Sequence, residues 1–254
     1  MKLKPVLRYQ LLQYRNAFFN FYGLIYGFMA LILILKYVRH STWGEASGGC
    51  LEGITMLACF IAGIALFKSA FRLFTSCGVS RRCFFCSITA AIAVTSAVVS
   101  LIDMVNAAVF SRFIDYRTNY SSMLAGDFIT RKGSGALPAV PFTLPVLMKN
   151  WLWCLLADFA LGMLGFLIAA LYYRMSKRVK ILVSVGVPAF FLLFIPLLDA
   201  NVTHNSFGRF FMAVWTQWTH WGLNPGPDLL SRLAVAALFA GGIWLLLRRA
   251  ELYR

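Results

Sequence analysis

CFFCSITAAIAVTSAVVSLIDMVNAAVF, from Cys83 to Phe110, is the stretch that decides the fold. It carries a single charged side chain, Asp103, and is longer than the ~20 apolar residues a helix needs to cross the ~30 Å hydrocarbon core of a bilayer. It reads as a membrane span. The rest of the chain agrees: 60% of its residues are hydrophobic and 13% charged, with a mean hydropathy of +0.74, against about half and roughly a quarter in an ordinary soluble domain. A water-soluble fold has no place to hide that much apolar surface.

Working outward, apolar runs of membrane length recur at 16–38, 51–67, 151–173, 181–198 and 229–247. With 83–110 they predict an all-α integral membrane protein of six spans, forming one transmembrane domain over 1–254 with both termini on the same side. The net charge of +15 does not point to nucleic acid, because the basic residues are dispersed among apolar runs instead of forming a polar domain. They act as topology signals. Lys2, Lys4, Arg8, Arg15, Lys68, Arg72, Arg81, Arg82, Arg174, Lys177, Arg178, Lys180, Arg248, Arg249 and Arg254, fifteen of the 24, fall on short segments at one face. That face is expected to be cytoplasmic. Trp43, Trp151, Trp153, Trp215, Trp218 and Trp221 fall on the other, as interfacial indoles do.

The connections are more individual than the spans. Residues 1–15 place Leu3, Leu7, Leu11 and Tyr14 on one stripe beside four basic side chains, predicting an interfacial helix on membrane lipid that leads into an uncleaved first span. Residues 111–150, rich in Gly and Pro, are expected to form an irregular outer loop with a short helix over 123–129. Phe207, Phe210, Phe211, Val214, Trp215 and Trp218 recur at steps of three and four, predicting an amphipathic outer helix over 207–221, broken by Asn224-Pro225-Gly226-Pro227. The connection 68–82 extends an aromatic stripe of Phe67, Phe71 and Phe74 beyond the expected membrane edge. Gly78 then permits a sharp turn, and Ser80 suits the cap of the next helix. Such a segment fits either docking in a partner's groove or the simple demand for basic residues inside.

Chemistry-bearing motifs are few. There is no GxxxxGK[ST], HExxH or GxSxG, and the CxxC of Cys83 and Cys86 lacks a second ligand pair, so neither a metal site nor catalytic residues are expected. A charged side chain in lipid costs ~2.5–3.5 kcal/mol on insertion scales, so polar residues inside spans should face protein or water. In the third span Thr89, Ser96, Ser100 and Asp103 share one stripe with Asn106 close by, and Asp158 and Arg232 lie at a similar depth. An ion pair between Arg232 and Asp103 or Asp158 is the expected use of these charges.

The basic leading helix, the six spans, the turn Gly78-Val79-Ser80-Arg81-Arg82-Cys83-Phe84-Phe85 and the closing Leu245-Leu246-Leu247-Arg248-Arg249-Ala250-Glu251-Leu252 resemble the permease subunits of bacterial ABC transporters of the type-two exporter class. The resemblance implies a permease of the bacterial cytoplasmic membrane, paired with a second copy or a paralogue. It further implies a coupling helix between spans two and three that docks on separate ABC ATPase subunits. Phe71, Arg72, Leu73, Phe74, Thr75, Gly78, Val79, Ser80, Arg81 and Arg82 would form it, with ATP and Mg bound by the partner and no cofactor in this chain. Phe207, Phe211, Trp215 and Trp218 would belong to an outer gate helix, and the cargo would be an amphipathic peptide, lipid or drug. The long third-to-fourth connection departs from the family. A substrate-capturing subunit of a shared transport machine and an intramembrane enzyme are the alternatives. The docking segment weighs against the first, and the absence of paired acids or of a histidine with a nucleophile inside the spans against the second.

Overall fold

The computed structural model describes residues 3–39, 50–111, 118, 143–190, 206, 209 and 225–248. Every element longer than one turn among them is an α-helix: α1 (Leu3–Arg39), α2 (Cys50–Ser76), α3 (Arg81–Phe110), α4 (Leu144–Arg174), α5 (Lys177–Ala189) and α6 (Pro225–Arg248). Apart from Arg209, the predicted outer helix, with Phe207, Phe211, Trp215 and Trp218, lies outside the described residues, as do the short helix over 123–129 and the end of the span expected over 181–198.

Four helices are long and apolar enough to cross a membrane, over Leu51–Phe74, Arg81–Phe110, Leu144–Arg174 and Leu230–Arg248. Their surfaces fit that role. Val94, Val98, Leu101, Val105 and Val109 of α3, and Ile54, Leu57, Ile61 and Ile64 of α2, form exposed apolar stripes. Water would not tolerate such stripes, whereas lipid tails cover them without cost. The chain is a multi-pass membrane protein.

Several expected boundaries move. Residues 144–150, assigned to the outer loop, are the first two turns of α4, where Pro145 sits at a position that needs no N–H donor. The last helix opens at Pro225, four residues before the expected span, and α5 starts at Lys177. The segments expected to be an interfacial helix and a first span are one continuous helix of 37 residues, ~55 Å long at 1.5 Å per residue. Its opening turns do not lie with their apolar face in lipid. The buried stripe is Val6, Gln10, Tyr14, Phe18, Tyr22 and Ile25, and it packs on the bundle. Aromatic groups explain the change, because Tyr9 stands edge-on to Phe74, with ring centroids 5.7 Å apart, giving the segment a protein surface to dock on.

The hub is α4, which packs against α2, α3 and α6, while α1 lies chiefly along α3. Small residues make α4 the hub. A Cβ on Gly165 would run into the backbone of Phe60 and Ile64, and one on Gly63 would run into Gly162 and Phe166, so the α2 and α4 backbones touch. Between α1 and α3 the contacts form parallel rungs. Gln10 meets Ser87, Tyr22 meets Val99 and Asp103, and Tyr26 meets Asn106, at nearly constant sequence separation.

Candidate functional site

Two regions concentrate the polar and aromatic groups, one at each end of the bundle. The first is the corner between α2 and α3. Helix α2 runs unbroken to Ser76, so residues 68–76 are its last turns and no separate coupling helix is present. Gly78, at φ 68°, takes the left-handed conformation that ends a helix at low cost, and the Val79 N–H donates to the Phe74 carbonyl (2.9 Å) in a Schellman closure. Ser80 is extended, and its Oγ accepts from the Cys83 N–H (3.3 Å), capping α3. Gly78→Ala is expected to cost about 1–2 kcal/mol through the left-handed conformation alone, read as a lower unfolding midpoint of the purified chain.

Phe71 and Phe74, expected to face a partner, are buried in this chain, at 3% and 6% exposure. The expectation is corrected by the company they keep. Phe71 contacts Phe67, Phe84 and Tyr173, Phe74 contacts Phe84 and Tyr9, and Phe67 meets Phe166 edge-on at 4.8 Å. These rings bind the corner to α1, α3 and α4. What the corner leaves exposed is Arg72, Leu73, Gly78, Ser80, Arg81 and Arg82, with Val79 half-buried under it. Arg81 also reaches across the bundle end, where its Nη1 donates to the Arg248 carbonyl (2.8 Å) at the C-terminus of α6, a favourable place for a cation. Thr75 lies within the last turns of α2.

The second region lies at the far end, ~33 Å up α3 from Arg81. Asp103, 1% exposed, accepts from the Tyr22 hydroxyl (3.0 Å) and the Thr55 hydroxyl (3.4 Å). One turn on, Asn106 accepts from the Tyr26 hydroxyl (3.0 Å). Glu52, with no exposure, accepts from Asn150 Nδ2 (2.8 Å). Four helices are thereby clasped: α1 to α3, α2 to α3 and α2 to α4. Each bond replaces water that lipid cannot supply, which is why these groups face inward.

Of the network expected from sequence, Asp103 and Asn106 take part, while Ser96 and Ser100 are buried on the same side and Ser100 donates back to the Ala97 carbonyl. The expected ion pair is absent. Arg232 holds its guanidinium 4.3 Å above the Trp153 ring, a cation–π contact. Asp103 is served by hydroxyls, and Asp158, 99% buried, is faced by the Cys59 thiol instead of a cation. Sequence reading missed Tyr22, Tyr26, Glu52, Thr55 and Asn150. Glu52 stands in the first turn of α2, where an acid complements the helix dipole. Among the described residues no group of three or more His, Cys, Asp or Glu is placed to hold a metal. The clasp holds helices together. Compared with protein-family models, with curated proteins and with solved structures, the chain matches none.

Proposed function

We propose that this chain is the membrane-spanning permease subunit of an ATP-driven transporter of the type-two exporter class, with the α2–α3 corner as the seat of a separate ABC ATPase. The observation that carries the reading is the build of that corner. A Schellman turn and a serine cap fix its path, aromatic rings anchor it to α1, α3 and α4, and Arg72, Leu73 and Arg82 remain exposed on it. A partner that moved the corner would move α4, the hub, along with it. Phe71 and Phe74 thus serve as the base of the lever, and the basic side chains as its contact face.

In this reading the corner is cytoplasmic and the clasp of Asp103, Glu52 and Asn150 lies towards the outer face. The chain completes six spans through α1 and the segment 181–198, and both termini are cytoplasmic in a bacterial inner membrane. ATP and Mg are held by the ATPase, and a second permease copy or a paralogue completes the path. The cargo is an amphipathic peptide, lipid or drug, in keeping with the aromatic run over 207–221.

The test is ATPase activity carried by the tagged full chain. Arg72→Ala with Arg82→Ala is expected to lower the co-purifying activity by about tenfold or more, since interface arginines of hot-spot rank cost ≥2 kcal/mol each on truncation. The chain should remain folded and monodisperse. An intact chain that carries the same ATPase activity with both arginines removed would overturn the assignment.

A further inference from the structure

Between α1 and α3 the bundle leaves a cavity of ≈550 Å³, open along its side. The rungs explain why it exists. Tyr22 and Tyr26 reach their partners on α3 with whole phenol side chains, holding the two backbones apart, while residues between the rungs do not fill the gap. Its walls include Leu11, Phe19, Val94, Val98 and Ile102, and the hydroxyls of Tyr22 and Tyr26 are spent on Asp103 and Asn106, so apart from Thr95 and the Tyr14 hydroxyl the wall offers rings and aliphatic carbon. Among the described residues lining it, Arg15 is the one that carries a charge. From Leu11 to Tyr26 the groove follows α1 for ~22 Å, more than the ~15 Å depth of one leaflet of a ~30 Å core.

Arg15 does not stand alone. Arg8 lies seven residues before it and Lys4 four before that, on the same helical face, and all three are exposed. An apolar slot of leaflet length thus opens onto a cationic stripe at its corner-side end. A second groove, of ≈380 Å³ between α1 and α2, has wholly apolar lining and no such end. Its occupant is undetermined by anything around it, whereas the charge beside the α1–α3 groove selects one.

We infer that the α1–α3 groove is a binding site for an anionic phospholipid, with one acyl chain between the helices and the phosphate at Arg15, supported by Arg8. The site does not depend on the transport assignment. A lipid here would pack against the faces of Tyr22 and Tyr26, on the reverse side of the clasp, and would bear on how firmly α1 is held to α3.

The purified full chain, stripped of lipid in mild detergent, is titrated with dioleoyl phosphatidylglycerol or dioleoyl phosphatidylcholine and observed by native mass spectrometry. Phosphatidylglycerol is expected to be retained at about fivefold lower concentration, the factor one basic side chain contributes at an anionic lipid surface. Arg15→Gln should erase the preference while leaving weak binding of both lipids. Val98→Trp, at a position 53% exposed in the groove wall, should remove both. If Val98→Trp does not fold, Val94→Trp one turn away serves as the filler. Equal retention of the two lipids by the native chain, binding untouched by a folded filler variant, a free fatty acid retained as well as the phospholipid, or a lipid-free dimer that the filler disrupts would each overturn the proposal.

Discussion

Gly165→Ala is expected to lower the melting point of the detergent-solubilised chain by about 6–12 °C, the shift that ~3 kcal/mol produces at this chain length. One methyl group suffices because of what it meets. The new Cβ would strike the Phe60 carbonyl and the backbone of Ile64, and helical backbone cannot rotate aside as a side chain can. The α2–α4 contact must open, and with it the contacts beneath Phe67 and Phe166. Overpacking in cores typically costs about 1–3 kcal/mol, with larger values where nothing yields. Gly27→Ala, in α1 with open space around its Cβ, is the control. It should leave the midpoint unchanged or raise it, since alanine is the better helix former by up to ~1 kcal/mol. Fluorescence-detected size-exclusion after a heat series measures both. Equal effects at the two glycines would refute the close crossing.

The clasp supplies the second large effect, and its sign pattern is unusual. Tyr22→Phe deletes the closer of two hydroxyl donors to Asp103 and leaves a buried carboxyl with Thr55 alone, at 3.4 Å. A buried acceptor left short of a partner costs ~1–3 kcal/mol, so the single variant should unfold some degrees earlier. Adding Asp103→Leu to it removes the group left unsatisfied. Because an apolar pair of similar volume is often as stable as the polar one, the double variant should recover at least half of the loss. Simple additivity of the two substitutions in a double-mutant cycle would show that the bond carries little of the α1–α3 attachment.

What was legible in the sequence was what is locally determined. The 28 residues from Cys83 to Phe110 must be helical and must lie in lipid or in a core, because no other structure satisfies their backbone. The turn at Gly78 and the cap at Ser80 depend on conformations and bonds within a few residues, and both are present as read. Asp103 and Asn106 were legible as inward-facing for a similar reason, since lipid offers them no partner. Their partners were not. Tyr22 lies 81 residues from Asp103, and Asn150 lies 98 from Glu52. Nothing in the spacing of one helix selects the residue on another.

The sequence by itself determined that this chain is a bundle of apolar helices in a membrane and where its sharpest turn falls. Only the tertiary structure decided which apolar faces meet protein and which meet lipid. Phe71 and Phe74 lie on a stripe that reads the same either way, and so does the leading segment of α1. Lipid tails are as apolar as leucine, so hydrophobicity drives no choice between the two. The choice falls to close packing at Gly63 and Gly165, to the aromatic contacts under the corner, and to the buried hydrogen bonds of Tyr22, Thr55 and Asn150.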